Sequence, residues 1–207
     1  MSIRIIGITG PTGAGKSLFS CFLAESGIPV IDADHVYHQM LIPPSECLNA
    51  LRDAFGSSVI REDGGLDRKE LSRIVFGSKE KLELLNRTVL KLVLEQIRTV
   101  IHSLEAEGHT TVAVDAPTLI ESGFHTECHT VVSVLAPSEL RLDRIIKRDN
   151  LSREAAESRI RAQHPDSFYE EHSTYLLHNG TDVAAFRSEC ERLLPLLIGD
   201  VNASRPN

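Results

Sequence analysis

Residues 10–17 read Gly10-Pro11-Thr12-Gly13-Ala14-Gly15-Lys16-Ser17, a complete G-x-x-x-x-G-K-[ST] string. Its setting constrains the fold more than any other feature of the chain. Residues 3–9 are almost continuously apolar and rich in β-branched side chains, the pattern of a strand buried on both faces. Residues 18–26 then carry Phe19, Phe22 and Leu23 at helical spacing, and Gly27 stands where the helix must stop. Strand, glycine loop and helix together make a phosphate site. Glycines let backbone N–H groups turn inward at a helix N-terminus, forming a nest for an anion. The Lys16 ammonium can bridge β- and γ-phosphates and the Ser17 hydroxyl can hold Mg²⁺. A plain glycine-rich turn is the alternative, but it does not require every defined position to be filled. The whole loop, residues 10–17, is therefore expected to bind a nucleoside triphosphate.

The rest of the chain alternates strand and helix signals. Residues 29–34, Pro-Val-Ile-Asp-Ala-Asp, predict a short strand ending in two acids, followed by a helix over 35–42 that Pro43-Pro44 terminates. Leu48, Leu51 and Phe55 mark another helix face with Gly56 as its stop, and Asp67 with Glu70 forms a capping-box pattern. A long amphipathic helix is predicted over 78–107. Strand signals return at 110–116 and 130–136, joined by a loop holding Pro117 and Gly123. Ser138 and Ser152 are placed to cap helices, His164-Pro165-Asp166 breaks the pattern, and a last strand at 175–178 leads through Asn179-Gly180 into a final helix. Such alternation implies an α/β fold: a parallel five-stranded sheet with helices on both faces. The candidate functional residues fall just after strand ends, where open α/β sheets bind ligands.

Three groups of side chains could do chemistry. Asp32 and Asp34, read as strand residues i and i+2, would share one face, so that one accepts a hydroxyl proton while the other holds a metal-bound water or a structural hydrogen bond. The competing reading is that Asp34 simply caps the next helix. Asp115 closes the run Val112-Ala113-Val114 in the form of an acid near Mg²⁺, although strand-terminal aspartates are also common caps. Arg141, Arg144 and Arg148, at i, i+3 and i+7, would lie on one helix face and could form a lid that closes on the triphosphate. A solvated helix with surface ion pairs is the alternative. Asp53-Ala54-Phe55-Gly56 matches D-x-x-G, but it lies on a predicted helix and no N-K-x-D accompanies it, which argues against a GTPase.

The net charge of −7 argues against general nucleic-acid binding. No stretch approaches a membrane span, and Met1 leads directly into the first strand without the pattern of a signal peptide. Cys21, Cys47, Cys128 and Cys190 are scattered, and the nine histidines show no metal-ligand spacing. These features lead us to expect a cytoplasmic protein with reduced cysteines, no nucleic-acid or membrane partner, a monomeric or weakly homo-oligomeric state and a short polar tail after Asp200.

With these residues in place, the chain resembles the dephospho-CoA kinase family over most of its length. The resemblance is carried by Ile8-Thr9-Gly10 into the glycine loop, Asp32-Ala33-Asp34, Leu66-Asp67-Arg68-Lys69-Glu70-Leu71 and Leu85-Asn86. It continues through Asp115-Ala116-Pro117-Thr118-Leu119-Ile120-Glu121, Arg144, Arg148, Arg159-Ile160, Gln163 and Asn179-Gly180. It departs where Leu90-Lys91 replaces a His-Pro pair and Ser173-Thr174 replaces Ala-Asp. The resemblance implies a P-loop kinase that uses ATP and Mg²⁺ to phosphorylate the ribose 3′-hydroxyl of dephospho-CoA. Its core would be 1–34, 108–137 and 167–207, with a helical acceptor-binding insertion at 35–107 and a helical lid at 138–166. Asp34 would be the base with Asp32 as its alternate; Lys16 and Arg144 would serve catalysis and Arg148 would approach ATP. Arg68, Leu119 and Glu121 would lie near the acceptor, and Ser17 and Asp115 near the metal. A P-loop kinase of the nucleoside or shikimate type and a non-catalytic nucleotide sensor remain as alternatives.

Overall fold

The computed structural model describes residues 2–180 and 182–199; the tail expected after Asp200 lies outside them. The chain divides into two compact units, Met1–Val30 with Glu107–Asn207, and Ile31–Ala106.

The predicted five-stranded parallel sheet is present, and four of its strands lie wholly in the first unit. Strands β1 (Arg4–Thr9), β2 (Val30–Asp32), β3 (Thr111–Asp115), β4 (Thr130–Leu135) and β5 (Tyr175–His178) stand in the order β2-β3-β1-β4-β5. β1 runs parallel between β3 and β4, with Ile6 beside Ala113 on one side and Thr130 on the other. Strand alternation then sorts the core. Val132 and Val134 join Ile6 and Ile8 under α1 (Lys16–Glu25) and α9 (Val183–Ile198), whose Phe19, Phe22, Leu23, Phe186 and Leu193 complete that layer. Leu135 points the other way, onto Ile120 and Tyr169 of α8 (Asp166–His172). Phe19 is fully buried, and its loss to alanine would cost about 3–5 kcal/mol.

Helices α6 (Ser138–Asp149) and α7 (Arg153–Arg161) pack through Leu142, Ile145 and Ala156. Ser152 caps α7 as expected, accepting from the Ala155 N–H. Ser138 does not cap α6. Pro137 holds the N-cap position and Ser138 is already helical. The break expected at His164-Pro165-Asp166 separates α7 from α8, a helix not expected there, with Pro165 at its N-cap. Seven residues are too few for helical periodicity to show in a sequence.

The second unit is helical, with α2 (Ala33–Met40), α3 (Glu46–Phe55), α4 (Arg68–Val75) and the 28-residue α5 (Lys79–Ala106). Cys47, Leu48, Leu51, Val59, Leu66 and Leu71 form its core, and Leu85, Val89 and Leu92 of α5 pack against it. α3 ends at Phe55 with Gly56 as its cap, so the D-x-x-G string is an ordinary helix end. Asp67 caps α4 by accepting from the Lys69 and Glu70 N–H groups, but Glu70 pairs with Arg73, so the capping box is only half formed. Among the described residues no helix is long and apolar enough to cross a membrane.

Candidate active site

The glycine loop occupies the carboxyl edge of the sheet, directly after β1 and between the ends of β3 and β4. The strand order reverses beside β1, which makes this the crevice where open α/β sheets take their ligands. Gly15 holds the N-cap of α1 in a left-handed conformation, no side chain caps that helix start, and no acid lies in its first turn. The helix dipole thus faces the loop with no carboxylate in the helix's own first turn to offset it. Lys16 Nζ folds over the loop and donates to the Gly10 carbonyl at 2.9 Å.

Side chains from distant parts of the chain hold this loop. Arg144 donates through one terminal nitrogen to the Gly13 carbonyl at 3.1 Å and the Ala14 carbonyl at 3.3 Å. Its other terminal nitrogen donates to the backbone and side-chain oxygens of Asn179, both at 3.2 Å. Asn179 Nδ2 donates to the Ala14 carbonyl at 2.8 Å. Gln163 accepts from the Thr12 N–H at 3.2 Å. The sequence offers Asn179 only as part of a connection and of the resemblance, and Gln163 only through the resemblance, neither with a role. Asn179 directly follows β5, and that position at a strand's carboxyl end was the signal available to find it.

Asp115 ends β3 and is 9% exposed. Its Oδ2 accepts from the Ser20 hydroxyl at 2.6 Å, which ties it to the first turns of α1; Ser20 carried no sequence signal. The arginines of α6 do not form one solvent-facing row. Arg141 is buried, 4% exposed, and donates to Asp166 and Gln163, while its Nε has no partner among the described residues. Arg144 is bound to the loop backbone. Arg148 pairs with Asp149, which also pairs with Arg159 of α7. The hydrogen bond from Arg148, with the charges of Arg148 and Arg159, holds the Asp149 carboxyl below the usual range. Helical spacing alone could not reveal these neutralising partners.

Leu119 is fully buried, and a β-carbon at Gly7 would come within 2.6 Å of its side chain. Its side chain therefore packs into the core beside β1. Glu121 lies 3.6 Å from the His164 Nε2.

In the helical unit, the two aspartates do not sit on one strand face. β2 ends at Asp32, and Asp34 belongs to the first turn of α2. Asp32, not Asp34, is the cap: its Oδ1 accepts from the Asp34 and His35 N–H groups at 2.9 and 3.0 Å. Asp34 is exposed, and its side chain makes no hydrogen bond or ion pair among the described residues. The same unit holds a cleft of about 460 Å³ whose lining includes Leu41, Ile42, Pro43 and Leu66 together with Arg61, Asp63 and Arg68. That volume suits a small-molecule ligand. Arg61 is already paired with Asp63 at 3.0 Å and holds its carboxyl below the usual range, whereas Arg68 forms no ion pair among the described residues. The cleft thus offers a mixed polar and apolar lining and one cation outside any ion pair among the described residues.

A family profile described as dephospho-CoA kinase matches residues 4–185. A dephospho-CoA kinase of Carboxydothermus hydrogenoformans is 38% identical over 163 residues, covering 79% of this chain and 79% of the relative. Among solved structures, TT1252 from Thermus thermophilus superposes with a TM-score of 0.78 at 31% identity, covering 96% of this chain and 100% of that one. A dephospho-CoA kinase from Campylobacter jejuni does so at 0.70 and 27% identity, covering 94% and 98%.

Proposed function

The chain belongs to the dephospho-CoA kinase family and is an ATP-dependent kinase, and from that premise we propose how its own residues transfer the γ-phosphoryl group of ATP to the ribose 3′-hydroxyl of dephospho-CoA. The observation that carries the reading is a complete phosphate loop at the sheet's switch point, inside a family match that runs from residue 4 to residue 185.

The loop amides and the start of α1 receive the triphosphate, and Lys16 leaves the Gly10 carbonyl to bridge its outer phosphates. Phosphoryl transfer needs little covalent help from the protein; it needs positioning and charge stabilisation. Asp34 is the group that accepts the proton of the acceptor hydroxyl. Two features support the choice of Asp34 over Asp32: Asp34 has a carboxylate not engaged elsewhere, and Asp32 is held by two backbone N–H bonds. Arg68 and the mixed lining of its cleft take the acceptor, an anion with a long flexible arm. Residues 138–166 cover the nucleotide, with Arg148 facing ATP once it leaves Asp149. The Ser17 hydroxyl and the Asp115 carboxylate are hard oxygen donors of the kind Mg²⁺ takes alongside phosphate and water. They would hold that ion, which when bound neutralises charge on the phosphates.

Asp34→Asn tests the assignment. Turnover should fall about 10²- to 10⁴-fold, the usual worth of a general base, while ATP binding persists. Loss of ATP binding together with turnover would contradict the role.

A further inference from the structure

We propose that Asn179 and Arg144 are positioning residues for the phosphate loop: by fixing the Ala14 carbonyl they aim the Gly15 N–H at the β-phosphate of a bound nucleotide. The inference rests on the reading of residues 10–17 as a nucleotide site. It gives Arg144 a part different from direct contact with transferring charge.

The argument begins with Asn179, which is 2% exposed. Its own N–H donates to the Leu135 carbonyl at 2.8 Å, so its backbone is fixed to the end of β4. The guanidinium of Arg144 has only donors, so the Asn179 side-chain oxygen must face it. That leaves Nδ2 facing Ala14, where it donates at 2.8 Å. Arg144 adds its own bond to the same carbonyl at 3.3 Å. The Ala14 oxygen is thus held from two sides by groups that are themselves bonded to each other. A trans peptide is planar, with N–H and C=O pointing opposite ways. Fixing the Ala14 oxygen outward therefore turns the Gly15 N–H inward. The neighbouring peptide behaves differently, because the Ala14 N–H is already used by the Pro11 carbonyl at 3.2 Å. Gly15 is where the brace acts on a ligand. Its lack of a side chain is part of the arrangement, since a β-carbon there would stand 2.0 Å from Asn179 Nδ2.

The test measures binding of ADP and of AMP, which lacks a β-phosphate, to the full chain and to Asn179→Ala, Arg144→Lys and the double variant. Titration calorimetry gives affinities, and ¹H–¹⁵N spectra report both folding and the Gly15 amide. Each single variant should weaken ADP about 10- to 100-fold, as for loss of one charge-assisted or buried hydrogen bond, and leave AMP within about threefold. The double variant should be little worse than the weaker single, because both residues act on one carbonyl. ADP should move the Gly15 amide proton downfield in the wild-type chain and not in Asn179→Ala. Folded variants that bind ADP like the wild type, or that lose ADP and AMP equally, would overturn the brace. A wild-type chain that binds neither nucleotide would overturn the nucleotide-site reading itself.

Discussion

Replacing Gly15 with alanine separates backbone strain from a specific contact. Gly15 sits at φ +105°, and a β-carbon there meets Asn179 Nδ2 at 2.0 Å. Holding an L-residue in the left-handed region costs about 1–2 kcal/mol. Relief of the clash must push the Asn179 side chain away and leave the Ala14 carbonyl and a buried amide without each other, a further cost of about 1–3 kcal/mol. Gly27 is the matched control. Its φ is +82°, it follows Ser26, the C-cap of α1, and a β-carbon there would meet nothing within 4 Å. Gly27→Ala should therefore show only the strain, about 1–2 kcal/mol of stability, with ADP affinity intact. Gly15→Ala should lose about 2–5 kcal/mol, divided between denaturant stability and ADP affinity as the loop relaxes or stays strained. Urea unfolding with and without ADP measures both parts at once. A Gly15→Ala chain indistinguishable from Gly27→Ala in both readouts would refute the claim that the loop and Asn179 are fitted to each other.

Other outcomes follow from the same geometry. Asp32→Ala removes the cap of α2 and should cost about 1 kcal/mol in thermal unfolding, whereas Asp34→Asn, which leaves that cap in place, should leave the melting temperature unchanged while turnover falls. Arg68→Ala should raise the KM for the acceptor about 10- to 100-fold through loss of one charged contact, with the KM for ATP unchanged; steady-state kinetics with each substrate varied decides it. Iodoacetamide at neutral pH should modify exposed Cys21 first and spare Cys128 and Cys190, whose thiols burial pushes up to about 12 and about 11; peptide mapping reads this. Because those folded values are raised, the associated stability is intact below about pH 8.5, the ordinary thiol value, and is lost as pH rises towards them. Unfolding midpoints should accordingly fall on the alkaline side, and Cys128→Ala should reduce that fall.

The phosphate loop and the sheet were legible because their signals are local. Eight consecutive residues define the loop, and runs of β-branched residues such as Val112-Ala113-Val114 define strands buried on both faces. The aspartate pair was misplaced for a local reason too. Either acid suits a helix cap, and only the backbone decides that β2 stops at Asp32 and that α2 has begun before Asp34. The arginine-rich segment exposed a different limit. Its spacing is visible, but Arg148 turns to Asp149, its immediate neighbour on α6, and Arg141 meets Asp166 of α8, an element that a wheel of α6 does not draw. The residues that hold the loop were the least legible. Asn179 and Gln163 reach Ala14 and Thr12 across 165 and 151 positions of sequence, and a contact of that range leaves no pattern around either partner.

Mass analysis of products after incubating the chain with ATP, Mg²⁺ and, in parallel, dephospho-CoA, adenosine or shikimate tests the central claim most directly. The account predicts one added phosphoryl group on dephospho-CoA, at its ribose, and none on the other two at comparable enzyme and time. Phosphorylation of adenosine or shikimate in preference, or of nothing while ATP still binds, would contradict it.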